Sequence, residues 1–333
     1  MDFSIVFVGT AGSVPTARRG LPATLVRHGG SRVLIDCGEG TQRQLVRSTG
    51  LVDLDAIFIT HFHADHWLGL PGLLKTFDLR DRERPLVIHG PKGIHSVLET
   101  AVLAAGATRF QVETRELEVG EAVEFETLNI APFPVKHRGS AFGYALFEHD
   151  RPGRIDLEKA AELGIQPGPD LGLLQRGESV GSVSPGDVMG GSRPGRKVVL
   201  SGDTSPCDSL LLAADGADVL VHEATFLQEE AGRAAERGHT TAAQAAECAS
   251  EAGVKLLALT HLSSRYGGRE VEEEARTVFE NSYVPRDFDA VEIPFAESGE
   301  PTLVRPQRHK RPPDRAQDTT SAAEGASLDE KKV

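Results

Sequence analysis

Short runs of Val, Ile, Leu and Phe recur along this chain, and most close on Gly, Asp or His. They fall at residues 4–9, 32–38, 56–61, 85–90, 128–137, 142–149, 197–203, 218–224 and 255–261. Their length, β-branched content and polar flanks predict strands. Residues 40–50, 94–106 and 241–253 carry helix-forming side chains and each end on a Gly, which predicts helices. The mixture predicts an α/β protein with large sheets covered by helices. Two segments break the pattern. Residues 150–196 are dense in Gly and Pro and read as a long loop with one short helical piece over Leu157–Leu163. A loop of that length inside a compact domain is uncommon and often functional. From about Pro306 onward the chain is polar, with Pro312 and Pro313, and reads as a disordered tail.

Composition narrows the class. The 333 residues, 39% hydrophobic, suffice for a sizeable core in one large domain or two ordinary ones. Cys37, Cys207 and Cys248 are odd in number and widely spaced, so no disulfide framework is expected and a reducing cytoplasm fits. No apolar run reaches the length of a membrane span, and the chain starts on a strand without a basic leader. Neither a membrane segment nor a signal peptide is expected, and the expected location is cytoplasmic. The net charge of −13 argues against a nucleic-acid partner. Against that, 27 of the 36 basic residues are Arg, the better bidentate clamp for phosphate. Acidic excess with scarce Lys also suits a high-salt cytoplasm, where bulk charge is screened.

The densest chemistry lies in "HFHADH", residues 61–66. Imidazole nitrogen and carboxylate oxygen are zinc ligands. In an extended segment residues two apart share a face, so His61 and His63 can grip one ion. Asp65 and His66, past a turn, can reach a second. His137, Asp203 and His261 close other apolar runs in the same way and are the candidates to complete the sites. A lone strand-end histidine is more often a hydrogen-bonded structural residue, but here several strand ends present the same chemistry. His28, His89, His95, His149 and His309 lack such company and are left as structural or surface residues.

This constellation resembles the metallo-β-lactamase superfamily. The resemblance implies a four-layer αββα sandwich with two Zn²⁺ ions per subunit at one edge. It implies His61, His63 and His137 on the first ion, Asp65, His66 and His261 on the second, and Asp203 bridging them. A hydroxide activated between the ions would attack, with Asp65 as proton acceptor. The metal motif alone does not name a substrate. The stretches "GTAGSVPTARRG" (9–20), "LIDCGEGTQRQL" (34–45), "FITHFHADHWLGLPGLL" (58–74), "VKHRGSAFGYALFEHDRPGRID" (135–156), "PGRKVVLSGDT" (194–204), "HEATF" (222–226), "HTTAAQAAECA" (239–249) and "LTHLSSRY" (259–266) follow in order. Together they resemble the short form of ribonuclease Z, the tRNA 3′-processing endonucleases, over residues 1–304.

That resemblance implies cleavage of precursor tRNA after the discriminator base, leaving a tRNA 3′-hydroxyl and a 5′-phosphate on the trailer. His239 would protonate the leaving oxygen and Glu223 would orient it. His222 is equally readable as a packed structural residue. Residues 150–180 would form an inserted tRNA-binding arm, with Gly168 and Pro169 at its tip, serving the active site of a partner in a homodimer. Many relatives carry Ser where this chain has Thr240. The arm is not basic, which is unexpected for a phosphate-binding surface. The Ser13–Arg19 loop is a candidate RNA contact, whereas the basic stretch 305–315 within the polar tail 305–333 reads as solvated charge. Two other readings stay open. One is a different dizinc hydrolase, arylsulfatase-like or a cyclic phosphodiesterase relative. The other is a binding module without catalysis.

Overall fold

The computed structural model describes residues 2–306. Most of the tail lies outside the described residues, as does most of its basic stretch. The chain builds β1 (Phe3–Gly9), β2 (Ala23–His28), β3 (Ser31–Ile35), β4 (Ala56–Phe58), β5 (Leu86–Gly90) and β6 (Val112–Glu116). It then builds β7 (Val123–Glu124), β8 (Leu128–Pro134), β9 (Phe142–Glu148), β10 (Lys197–Leu200), β11 (Val219–Glu223), β12 (Leu256–Thr260) and β13 (Ser282–Tyr283). Finally it returns to the start with β14 (Ala290–Glu292) and β15 (Thr302–Val304). One sheet has the order β15-β14-β1-β2-β3-β4-β5-β6, the other β13-β12-β11-β10-β9-β8-β7.

The near-continuous apolar runs now have a cause: both faces of each sheet are covered. Phe3, Ile5 and Phe7 of β1 point between the sheets and meet Tyr144, Leu146, Val198 and Val221 of the other sheet. Val6 and Val8 point the opposite way, with Leu34 and Ile57, under the helices Thr41–Ser48, Leu70–Leu79 and Ile94–Ala105. On the far side Val199, Leu220, Leu257 and Leu259 pack under helices Asp208–Ala214, Ala242–Glu251 and Gly268–Arg276. The result is the expected αββα sandwich. The parallel pairs β3–β4–β5 and β10–β11–β12 aim their carboxyl ends at one edge, where ligands of such sheets gather. No helix among the described residues is long and apolar enough to cross a membrane.

The reading of residues 150–196 as a loop with one helical piece is corrected. Three short helices form there, Leu157–Glu162, Pro169–Gln175 and Pro185–Val188. They close over a private core of Ala160, Ile165, Leu174, Val183 and Val188. Asp156 caps the first, accepting from the backbone of Glu158 and Lys159. Pro169 sits at the start of the second, where its missing N–H costs nothing. These helices are too short to show a 3.6-residue period, so the apolar positions read as scattered. The two ends of the insert pair as antiparallel bridges at Arg151–Arg193 and Ile155–Met189.

Candidate active site

The site grows from the ends of five strands. After β4 the chain stays extended through Thr60 to His63 and then turns into the short helix Ala64–Trp67, which carries Asp65 and His66. The opposite sheet holds this segment in place: the buried Tyr144 hydroxyl donates to Ile59 O (2.7 Å), and Phe142 N donates to Thr60 O (2.9 Å). His137 follows β8, Asp203 follows β10 and His261 follows β12. Glu223 ends β11, and His239 precedes helix Ala242–Glu251.

All seven candidate ligands come together. His61, His63, His137 and Asp203 offer one ligand atom each within 4.8 Å of one another, and so do Asp65, His66 and His261. His63 Nδ1 lies 2.9 Å from His61 Nε2 and 3.1 Å from His137 Nε2. Asp203 Oδ2 stands between the groups, 3.7 Å from His61 Nε2, 3.5 Å from His66 Nε2 and 3.3 Å from His261 Nε2. Asp65 Oδ2 is 3.3 Å from His261 Nε2 and 3.7 Å from His66 Nε2.

These residues fit cations. His66 Nε2 is buried without a hydrogen-bond partner and faces two carboxylates. Burial and neighbouring imidazoles lower the pKa of His61 and His63, which keeps them neutral with a lone pair to offer. The carboxylates, in turn, demand positive charge. Burial opposes ionisation of Asp203, but His261 and His66 hold its pKa well below the ordinary range. Burial also opposes charge on His66, yet Asp203 and Asp36 raise its pKa well above the usual value.

The outer hydrogen bonds fix which nitrogen faces inward. His66 Nδ1 meets Asp36 Oδ2 at 2.8 Å, His137 Nδ1 meets Gly238 O at 2.7 Å and His261 Nδ1 meets Thr225 Oγ1 at 2.8 Å. Each leaves Nε2 for the site. Asp36 also accepts from Thr60 N (2.8 Å). Asp36 and His261 have φ of 60° and 55°, the left-handed strain that clusters at active sites. Gly12 lies flat against the His261 ring, where a Cβ would come within 2.5 Å of Nδ1. Asp36, Thr225 and Gly238 are the functional neighbours that sequence reading missed. Asp36 had a signal, since it too closes a strand-like run. We expect Asp36→Ala to weaken metal affinity by ~10–100-fold, measured by titration against a competing chelator; unchanged affinity would remove it from the site.

Glu223 is fully buried and saturated. Its Oε1 accepts from Thr204 N (2.8 Å) and His239 Nδ1 (2.8 Å), and its Oε2 from Thr225 Oγ1 (2.7 Å). Burial works against a charged His239, but Glu223, Asp203 and Asp65 outweigh it and push the pKa up to about 9. His239 thus keeps Nε2 as its remaining nitrogen. His222 is buried, its Nδ1 2.8 Å from Glu223 O, as a structural residue would be. His28 pairs with Glu148 and His89 stacks on Phe58, both away from the site.

A cleft of about 430 Å³ opens over these groups. Ser13, Val14 and Phe226 line it, and Arg138, Arg233, Arg237 and Arg265 stand around it. Ser13 N donates to Asp65 Oδ2 (2.8 Å), so the Ser13–Arg19 loop reaches the site at its first residue. Arg19 turns away, donating to Thr10 Oγ1 and Pro285 O. Gly168 and Pro169 lie in the insert, Gly168 directly preceding the helix that Pro169 begins.

Sheets, strand-end ligands and cleft define a class, and comparison with known proteins agrees: the chain belongs to the metallo-beta-lactamase superfamily, whose family profile matches residues 19–246. A Bacillus subtilis protein of this fold superposes with a TM-score of 0.66 at 19% identity, covering 88% of this chain and all of that one. Within the superfamily the chain belongs to the ribonuclease Z family of metal-dependent endoribonucleases. Ribonuclease Z of Methanosarcina mazei is 44% identical over 87% of this chain and 98% of its own length. That of Natronomonas pharaonis is 46% identical over 89% and 99%. The solved human tRNase Z, short form, has a TM-score of 0.65 at 27% identity, over 87% of this chain and 99% of that one.

Proposed function

We propose that the chain trims precursor tRNA, cutting after the discriminator base to leave a tRNA 3′-hydroxyl and a 5′-phosphate on the trailer. The observation that carries this is the cleft itself. In a chain of net charge −13, four arginines line a cleft above seven gathered candidate metal ligands. That is where an RNA backbone needs positive charge. The ribonuclease Z relatives and the human tRNase Z support the substrate class.

His61, His63 and His137 would hold one Zn²⁺, Asp65, His66 and His261 the other, with Asp203 shared. Two such ions lower the pKa of water and stabilise the charge of an in-line displacement. Burial works against charge on Asp65, but His261 and His66 keep its carboxylate ionised, and it would accept the proton of the attacking water. His239 protonates the departing 3′-oxygen, and Glu223 holds its ring in register. The tRNA-holding arm, expected over residues 150–180, would take in the whole folded insert 150–196, with Gly168 and Pro169 in it, on the 1–304 domain. The working unit is a cytoplasmic homodimer in which each arm serves the partner's site.

The experiment is cleavage of an end-labelled precursor tRNA with and without chelator, beside bis(p-nitrophenyl) phosphate. Chelator-sensitive cleavage at the 3′ side of the acceptor stem supports the proposal. Activity on the small ester alone favours another dinuclear hydrolase, and metal binding without either activity favours a binding module. The His239 role makes a sharper forecast. His239→Ala should slow precursor cleavage by ~10²–10⁴-fold. It should slow the nitrophenyl ester far less, because nitrophenolate leaves without a proton. Equal losses on both substrates would remove His239 as the acid.

A further inference from the structure

The insert meets the sandwich through a root held by one short loop. Glu297, in the turn between β14 and β15, accepts from Arg151 Nη1 (2.9 Å) and Nη2 (3.1 Å) and from Arg193 Nη1 (2.7 Å). Arg151 and Arg193 are the bridged residues at the two ends of the insert, so one carboxylate grips both strands of the root. Two residues earlier the Phe295 ring lies under two guanidinium groups, 3.6 Å from Arg151 and 4.0 Å from Arg196. Such stacking suits Arg in particular.

Beneath the loop the fastening continues inward. Arg196, buried, donates Nη1 to Ile293 O (2.6 Å) and Nε to Glu148 Oε2 (2.8 Å). Glu148 Oε1 is also 2.7 Å from His28 Nε2 on β2. Glu148 and Arg196 flank the insert on its outgoing and returning strands. A Cβ on Gly195 would strike Glu148 O at 2.4 Å, so the two strands cross here at backbone distance. The insert's apolar core is separate from the three cores of the sandwich. Its bearing on the sandwich is therefore set at the root. The insert leaves the second sheet, whereas the loop belongs to the edge hairpin of the first, so the fastening spans both layers.

We infer that the loop 293–300 is a latch that fixes the arm's bearing, making Phe295 and Glu297 positioning residues for the RNA substrate although neither lines the cleft. This rests on the reading of residues 150–196 as an RNA-holding arm. Glu297, Arg151 and Arg193 keep 27%, 22% and 29% of their side-chain surface exposed, so water can replace their bonds and the fold survives their loss. The effect of breaking the latch then falls on substrate placement rather than on folding.

The test compares Glu297→Ala and Phe295→Leu with an arm-less chain in which residues 156–188 are replaced by a two-residue turn. Ile155 and Met189 already face each other as a bridge, which such a turn can close. We expect Glu297→Ala to raise KM for precursor tRNA by ~10-fold or more. Hydrolysis of bis(p-nitrophenyl) phosphate should be unchanged, and amide exchange should speed up within 150–196 and not in the strands. Glu297→Gln, which keeps an acceptor oxygen, should fall between. In the arm-less chain Glu297→Ala should add nothing. If arm removal raises KM but Glu297→Ala alters neither KM nor exchange, the latch is wrong and the arm stands. If the arm-less chain cleaves precursor as the intact protein does, the arm reading fails and the latch with it.

Discussion

Asp203→Ala is expected to abolish hydrolysis of precursor tRNA and of small diesters alike. Asp203 is the only carboxylate among the gathered ligands within 4 Å of imidazole nitrogens from both groups, His61 on one side and His66 and His261 on the other. In the proposed assignment each of the other six candidate ligands serves one ion, so the loss of any one would leave the second site's ligands in place. Without the shared oxygen the two proposed sites would lose their common ligand, and the three imidazoles beside it would repel one another once charged. A metal pair contributes several kcal/mol to the transition state, so the rate should fall by ~10³-fold or more. Metal content should fall from two ions per chain toward one or none, measured by elemental analysis after gel filtration, while the circular dichroism spectrum is retained. A variant with two ions and full activity would refute the shared-ligand assignment.

The second large effect should be selective. Replacing 156–188 with a two-residue turn removes the insert's own core and leaves the three sandwich cores untouched. No candidate ligand, nor Glu223 or His239, lies in the replaced segment. Precursor tRNA should lose ~10²-fold or more in kcat/KM, the scale of losing substrate orientation. The nitrophenyl diester should be hydrolysed at the original rate. Comparable losses on both substrates would show that the insert supports the site structurally and does not hold RNA.

Much of this site was legible before any coordinates. In a sheet buried on both faces a strand is an unbroken apolar run, and a His or Asp that ends it is conspicuous. That is how His61, His137, Asp203 and His261 stood out, and the spacing in 61–66 added His63, Asp65 and His66. The outer shell was not legible, because its partners are distant in sequence. Asp36 meets His66 thirty residues on, and Thr225 meets His261 thirty-six residues on. The edge strands β6, β7, β13 and β15, and β14 next to one edge, were missed because they are short or partly exposed and lack a dense apolar run; β2 is buried, but Thr24, Arg27 and His28 break up its apolar positions. The insert's folded character was hidden in helices of four to seven residues. The insert's root joins residues 151 and 193 to Glu297, a contact that no local pattern encodes.

Cleavage of precursor tRNA at one phosphodiester bond is the reaction proposed for this cleft. The most direct measurement maps both product ends after cleavage of a 3′-extended precursor by the metal-loaded protein. A single cut after the discriminator base is expected, with a 3′-hydroxyl that accepts nucleotide addition and a trailer whose 5′-phosphate supports ligation. Stepwise shortening from the 3′ end, a 3′-phosphate on the tRNA, or no cleavage by fully metal-loaded protein would contradict it.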